Sequence, residues 1–166
     1  MNLRRLDEFA PPGQLDSSAA STQPHMDKEK RKRLIETAKA HGYVGMAPPR
    51  VLVTCSEFFD GNDDVGSIGC NLNEHPGIAA FDAAFRQVES MDGVAGVYLA
   101  ITEIDETYDS IWPFTDTGCI VTRVEASAFE WVLRPLDPDE IAPTDELFAN
   151  PPEIPAGYQL IRVWWD

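Results

Sequence analysis

From residue 51 to the end, the chain alternates between the hydrophobic period of a β-strand and that of an α-helix. In residues 76–91, PGIAAFDAAFRQVESM, large apolar side chains recur at spacings of three and four, which predicts one buried helical face: Ile78, Phe81, Phe85 and Val88. A second, shorter helix is predicted at 127–136, SAFEWVLRPL, with four side chains facing inward: Phe129, Val132, Leu133 and Leu136. β-branched and alternating segments predict four strands: residues 51–55, 94–104, 117–124 and 158–165.

The resulting order, β-α-β-β-α-β, predicts an α+β fold of the ferredoxin-like type. In such a two-layer sandwich, two helices cover one face of a four-stranded antiparallel sheet. We expect the final strand to lie beside the first strand. The sheet face away from the helices would then be open, and Trp164 alternates onto one face of the final strand together with Leu160 and Arg162.

Composition divides the chain into three regions. Residues 1–26 are rich in Ser, Ala, Pro and Gln, which predicts a disordered, flexible N-terminal extension. Residues 27–50 predict one basic helix, capped by Asp27 and ended by Gly42, followed by a linker at Pro48-Pro49. We expect this helix to dock loosely on the third region, residues 51–166, which forms the acidic ferredoxin-like domain.

The charge is distributed unevenly between these regions. Residues 1–50 carry nine Lys and Arg against six Asp and Glu, a net +3, whereas residues 51–166 carry four Arg against 22 acids, a net -18. The acidic domain would repel a phosphate backbone, so we expect no nucleic-acid partner for it. Basic proteins and divalent cations are the partners that this charge favours, although the acids also serve solubility.

The location expected from the sequence is the cytoplasm. No apolar run approaches the roughly 18 residues of a membrane span, and the first residues, MNLRRLDEFAPPG, lack the apolar segment of a signal peptide. The three cysteines, Cys55, Cys70 and Cys119, form neither a disulfide framework nor a CxxC pair, which fits a reducing compartment.

A loop rich in acids and glycines, EFFDGNDDVGSIGCN (57–71), follows the first predicted strand. Its D-x-N-x-D spacing matches the first half of a calcium loop, but Val65 and Asn71 stand where that motif needs glycine and glutamate. A divalent-cation site of another kind remains one interpretation, with three carboxylate ligands: Asp60, Asp63 and Asp64. The other interpretation is structural: the glycines supply positive φ angles and the Asn and Asp side chains cap turns. Those glycines are Gly61, Gly66 and Gly69.

The same loop supplies most candidates for a binding surface. His75 follows Cys70 by five residues, so the two could pair as a nucleophile or as half of a zinc site, or be a buried cysteine and a histidine at the entry to a helix. Trp112 is expected to cover a sheet edge. The candidate binding residues are Asp60, Asn62, Asp63, Asp64, Ser67, Asn71, His75, Trp112 and Trp164.

Several segments resemble a family of small acidic bacterial proteins that is uncharacterised. The resemblance rests on EFFDGNDDVGSIGCNL, HPG, WPFTD, LRPLDPDEI and the terminal VWWD, and it extends from about residue 51 to the end. It implies a bacterial cytoplasmic protein, but it transfers no activity, cofactor or catalytic residue.

Two functions follow from the residues. The favoured hypothesis is a non-enzymatic acidic module that binds a basic protein and needs no cofactor, as a bacterial immunity protein binds a basic nuclease toxin. The alternative is a divalent-metal-binding sensor or metal-dependent enzyme that uses the Asp60–His75 loop. A homodimer through the open sheet face is compatible with either hypothesis.

Overall fold

The structure is a computed structural model that describes residues 26–166. The predicted disordered extension therefore lies outside the described residues, except for Met26, which is buried. The helices are α1 (Lys28–Ala40), α2 (Cys55–Phe59), α3 (Ile78–Glu89) and α4 (Glu130–Leu133), and short 3-10 turns occupy Val65–Ser67, Ala126–Phe129 and Arg134–Leu136. The strands are β1 (Val51–Thr54), β2 (Val94–Ile101), β3 (Thr117–Thr122), β4 (Glu140–Pro143) and β5 (Gln159–Trp164).

The fold is α+β, as predicted, but the sheet is not the predicted one. Within residues 26–166 it has five strands in the order β1-β2-β3-β5-β4, and every neighbouring pair is antiparallel. The prediction of four strands in a ferredoxin-like order is therefore wrong. The final strand lies between β3 and β4, and β1 lies at an edge beside β2.

Two features of the chain explain the difference. The chain crosses the length of the sheet twice between β1 and β2. Residues 60–77 first run to the sheet end near Thr115, whose N donates to Ser67 O, and α3 then runs back to the other end. This round trip makes β2 antiparallel to β1, with Val51 opposite Ile101. The extra strand, β4, ends at Pro143 in a proline-rich segment that shows no strand periodicity, and proline tolerates such a position only at a sheet edge.

All four helices pack on the same sheet face. The side chains predicted to face inward from the two helical patterns are buried, and Trp165 joins them with edge-to-face contacts to Phe81 and Phe85 at centroid distances of 5.4 and 6.2 Å. Helix α1 docks more tightly than predicted, because Leu34 and Ala38 enter this core. These contacts make α1 part of the hydrophobic core that the helices form with this face of the sheet.

A buried arginine anchors α1. Arg31 donates from Nε to Ile111 O at 2.5 Å and from Nη2 to the carbonyls of Asp105 and Tyr108 at 2.6 and 2.9 Å. A guanidinium offers five donors in a fixed plane, so it can satisfy three carbonyls of one loop at once. The basic helix therefore fixes the 105–111 connection as well as covering the core.

The opposite sheet face, predicted to be open, is covered by residues 144–158, which we call the strap. The strap leaves β4 and reaches the outer edge of β1 at Phe148 before it returns to β5. Phe148 packs there on a second cluster of buried side chains: Leu52, Ala100, Cys119, Val121 and Leu160. The homodimer through this face stays a prediction, since most of the face is already covered within the chain.

Arg50 fastens the strap to the sheet. Its guanidinium makes two parallel hydrogen bonds to Glu146 at 2.9 and 2.8 Å, and Nη1 donates to Asp116 Oδ1 at 2.6 Å and to Thr117 Oγ1 at 3.0 Å. Burial alone would lower the pKa of Arg50, but the hydrogen bonds and charges of Glu146 and Asp116 outweigh it and raise that pKa. The resulting Arg50 network joins β1, the start of β3 and the strap.

Asn150 completes the attachment at the edge strand. Its side-chain amide accepts from Leu52 N and donates to Leu52 O, both at 2.8 Å, and Ala149 N donates to Arg50 O at 2.9 Å. An edge strand with free backbone groups invites pairing with other chains. The strap satisfies these groups of β1 within the chain.

We expect Arg50→Met to lower the free energy of unfolding by about 3 kcal/mol, because it leaves two partly buried carboxylates without their counter-ion. Arg123→Met is the matched control, because Arg123 pairs with Asp92 at 3.4 Å on the exposed surface and should cost less than about 1 kcal/mol. Chemical denaturation of both variants measures the difference. Equal, small losses would contradict the role given to Arg50.

Candidate functional site

The loop of residues 60–71 is held by its own side chains. Buried Asn62 donates to Ser67 Oγ at 2.9 Å and accepts from Asp64 N at 2.9 Å. Gly61 and Gly69 have φ of 82° and 61°, as the structural interpretation predicts, whereas Gly66 does not have a positive φ. At Gly69 a Cβ would lie 2.8 Å from the Phe81 ring, so glycine also allows close packing on the core.

The carboxylates of this loop are directed to different protein partners. Asp60 accepts from Lys30 Nζ at 2.6 Å, a contact that lowers the pKa of Asp60, whereas Asp64 accepts from Gly66 N and from Trp112 N, each at 2.9 Å. Across residues 26–166, no group of three or more His, Cys, Asp or Glu side chains is arranged to hold a metal ion. The cation site stays a prediction from the sequence, and this geometry does not favour it.

His75 is held by two backbone groups. Gly77 N donates to Nδ1 at 2.9 Å, so Nδ1 carries the lone pair and Nε2–H donates to Ile68 O at 2.8 Å. Both ring nitrogens are therefore occupied, and His75 caps the segment before α3. Its predicted partner Cys70 is exposed and has Asn71 Oδ1 as its nearest polar contact, at 3.7 Å.

The other two thiols, Cys55 and Cys119, are buried in the folded protein. Burial is the main reason that the pKa of Cys55 and the pKa of Cys119 are each raised to about 12. A thiolate is the nucleophilic and metal-binding form, so neither side chain is suited to such chemistry near neutral pH.

A cleft forms where the end of β5 meets the 69–73 segment, and we call it the Trp164 cleft. It consists of two adjoining hollows of about 230 and 290 Å³ that share Gly69, Asn71, Trp165 and Asp166. The remaining lining residues are Cys70, Leu72, Asn73, Phe114, Asp116, Asp137, Asp139 and Trp164. Aromatic rings and carboxylates therefore line the same concave surface.

The carboxylates of the Trp164 cleft differ in their pairing. Asp116 belongs to the Arg50 network, whereas Asp137, Asp139 and Asp166 form no salt bridge with the described part of the chain. Asp139 Oδ2 accepts from Asp166 N at 2.8 Å, which holds the two acidic segments together. The cleft thus keeps negative charge that no cation of residues 26–166 neutralises.

Trp164 already binds one cation of the chain. The Arg162 guanidinium lies 5.9 Å from the centroid of the Trp164 ring and also contacts both carboxylate oxygens of Glu140, at 2.9 and 3.0 Å. A cation near an indole face is attracted by the negative potential of the ring. The indole of Trp164, which lines the cleft, is therefore able to contact a guanidinium group.

The structure separates the predicted binding residues. Asn71 and Trp164 lie in the cleft, whereas Trp112 is buried in the core and the other predicted residues lie in or near the 60–71 loop and beside α3. The cleft acids Asp116, Asp137, Asp139 and Asp166 are not among the residues predicted from the sequence. Their signal was present in WPFTD, LRPLDPDEI and VWWD, which carry the resemblance and meet here with the 57–72 segment.

Comparison with known proteins places the chain in a family. The model of the Uncharacterized protein YfbO family matches residues 29–163, most of the chain. The chain belongs to the YfbO family. A relative of this YfbO-family protein, Uncharacterized protein YfbO from Escherichia coli (strain K12), is 27% identical over 121 residues, which is 71% of this chain and 84% of the relative. No solved structure matches.

The family match confirms the predicted resemblance to an uncharacterised bacterial family. It begins inside α1 rather than at residue 51, which agrees with the packing of α1 into the core. None of the helices described for this YfbO-family protein is long and apolar enough to cross a membrane.

We expect Asp64→Asn to lower the free energy of unfolding by about 1–2 kcal/mol, because an amide has one acceptor oxygen for the two backbone donors that Asp64 now satisfies. Asp63→Asn is the matched control, because Asp63 forms no side-chain hydrogen bond or ion pair within the part of the chain that the structure describes, and its neutralisation should be nearly silent. Thermal and denaturant unfolding measure the stability of both variants. Equal effects would indicate that the two acids act together, as ligands of one cation would.

Proposed function

We propose that this YfbO-family protein is a non-enzymatic acidic module that binds a basic protein. The observation that carries the proposal is the internal use of its cations. In residues 26–166, every Lys and Arg except Arg33 and Arg134 forms an ion pair or a side-chain hydrogen bond within the chain. Many acids have no such cation among these described residues: Glu57, Asp63, Asp137, Asp139, Asp145, Glu153 and Asp166 are examples.

This distribution supports a basic partner. The formal net charge is -15, and most of the basic side chains that could offset it at an interface are engaged in contacts within the chain, chiefly those that hold α1 and the strap. An acidic surface attracts a basic partner at long range and repels nucleic acid and other acidic proteins. A cytoplasmic immunity protein that neutralises a basic nuclease is one instance of such a module.

We expect the partner to form a complex of fixed stoichiometry with the chain, with an affinity that depends on salt. Basic proteins encoded beside the gene are co-expressed with the full chain, and the affinity of each purified pair is measured calorimetrically at two salt concentrations. The Debye length falls from about 30 Å at 0.01 M salt to about 8 Å at 0.15 M, so we expect the dissociation constant to rise by at least about tenfold over this range.

An unrelated acidic protein of similar size and net charge is the control. The partner should bind it at least about tenfold more weakly, since charge alone gives only nonspecific attraction. If no basic protein binds the chain more tightly than it binds the control protein, the proposal is wrong. An affinity that does not change with salt would also overturn it.

A further inference from the structure

We infer that the Trp164 cleft is the docking site for an arginine side chain of the basic partner. This inference rests on the proposed function and names the place and the chemistry of contact. Three features of the cleft support it: concave shape, aromatic walls and unneutralised carboxylates.

The shape selects a single side chain. The two hollows, of about 230 and 290 Å³, join at Gly69, Asn71, Trp165 and Asp166, so a chain segment lying across the surface can insert one long side chain between them. Gly69 contributes no side chain to this junction. Asn71 is exposed there and offers an amide to a peptide backbone.

The charge selects a cation. Asp137, Asp139 and Asp166 face no internal counter-ion in the described chain, and Asp116, which also lines the cleft, is paired with Arg50. A bound cation would lose part of its hydration in the cleft and would need carboxylates close by to compensate. The cleft provides three unpaired carboxylates along its two adjoining hollows: Asp137, Asp139 and Asp166.

The aromatic wall selects guanidinium over ammonium. Phe114 and Trp164 line the same hollow as Asp116 and Asp166. Arginine is planar, less strongly hydrated than lysine, and able to stack on an aromatic ring while its edge binds a carboxylate. The Arg162, Trp164 and Glu140 group shows this combination within the chain itself, with a guanidinium held by both an indole and a carboxylate.

Nuclear magnetic resonance titration of the full ¹⁵N-labelled chain tests the inference. The probes are three capped peptides of the same length that contain arginine, lysine or citrulline, the last being the neutral analogue of arginine. We expect the arginine peptide to give saturable shifts at the Trp164 indole N–H and at the amides of Gly69, Asn71 and Asp166. The lysine peptide should bind more weakly, and the citrulline peptide should cause no shift.

Paired variants separate the cleft from general charge. We expect Asp139→Asn with Asp166→Asn to weaken binding of the arginine peptide by about tenfold or more. The matched control is Glu125→Gln with Glu153→Gln, which removes the same charge outside the lining of the cleft, since Glu125 follows the end of β3 and Glu153 belongs to the strap, and it should change binding by less than about twofold. Trp164→Leu should weaken binding while the unfolding temperature confirms that the variant is folded.

The outcomes distinguish the inference from the proposed function. If the basic partner binds and the cleft variants leave its affinity unchanged, the partner docks elsewhere and the inference is wrong while the proposed function stands. Equal shifts with the citrulline peptide, or shifts away from the cleft, would also overturn the inference. If the arginine peptide fills the cleft and no basic protein binds, the proposed function is wrong.

Discussion

The Arg50 network is the interaction on which the rest of this structure depends. One guanidinium joins the start of β1 to Thr117 of β3 and to Glu146 of the strap, and it holds Asp116 at the wall of the Trp164 cleft. Without it, the strap would keep mainly its apolar contacts and the attachment of Asn150 to the edge of β1. The same contact therefore closes the second face of the sheet and shapes the cleft.

Local features of the fold could be predicted from the sequence, because they are set by side chains close together in the chain. The spacing of Phe81 and Phe85 gave the buried face of α3, and the glycine conformations at 61 and 69 followed from the loop composition. The order of strands could not be predicted in this way. It depends on the path of the chain through residues 60–77 and α3, and β4 lies in a proline-rich segment that shows no strand periodicity.

The candidate site was predicted only in part for a related reason. The acids around Asn62 stand out in the sequence, yet Asp60 contacts Lys30 and Asp64 binds backbone groups instead of sharing a ligand with Asp63. The Trp164 cleft combines four segments that are distant in sequence, so its concave shape exists only after folding. Charge was more predictable than geometry, because the acids of residues 51–166 greatly outnumber their cations.

Native-state alkylation of the buried thiols tests the role of Arg50 most directly. Cys119 lies under the strap, whereas Cys55 lies in the helix-covered core. Labelling of Cys55 is therefore an internal control for global unfolding. In Arg50→Met, mass spectrometry after iodoacetamide treatment should show that labelling of Cys119 is accelerated at least about tenfold more than labelling of Cys55, because the strap opens locally. Equal acceleration of both thiols, or no acceleration of Cys119, would contradict the account.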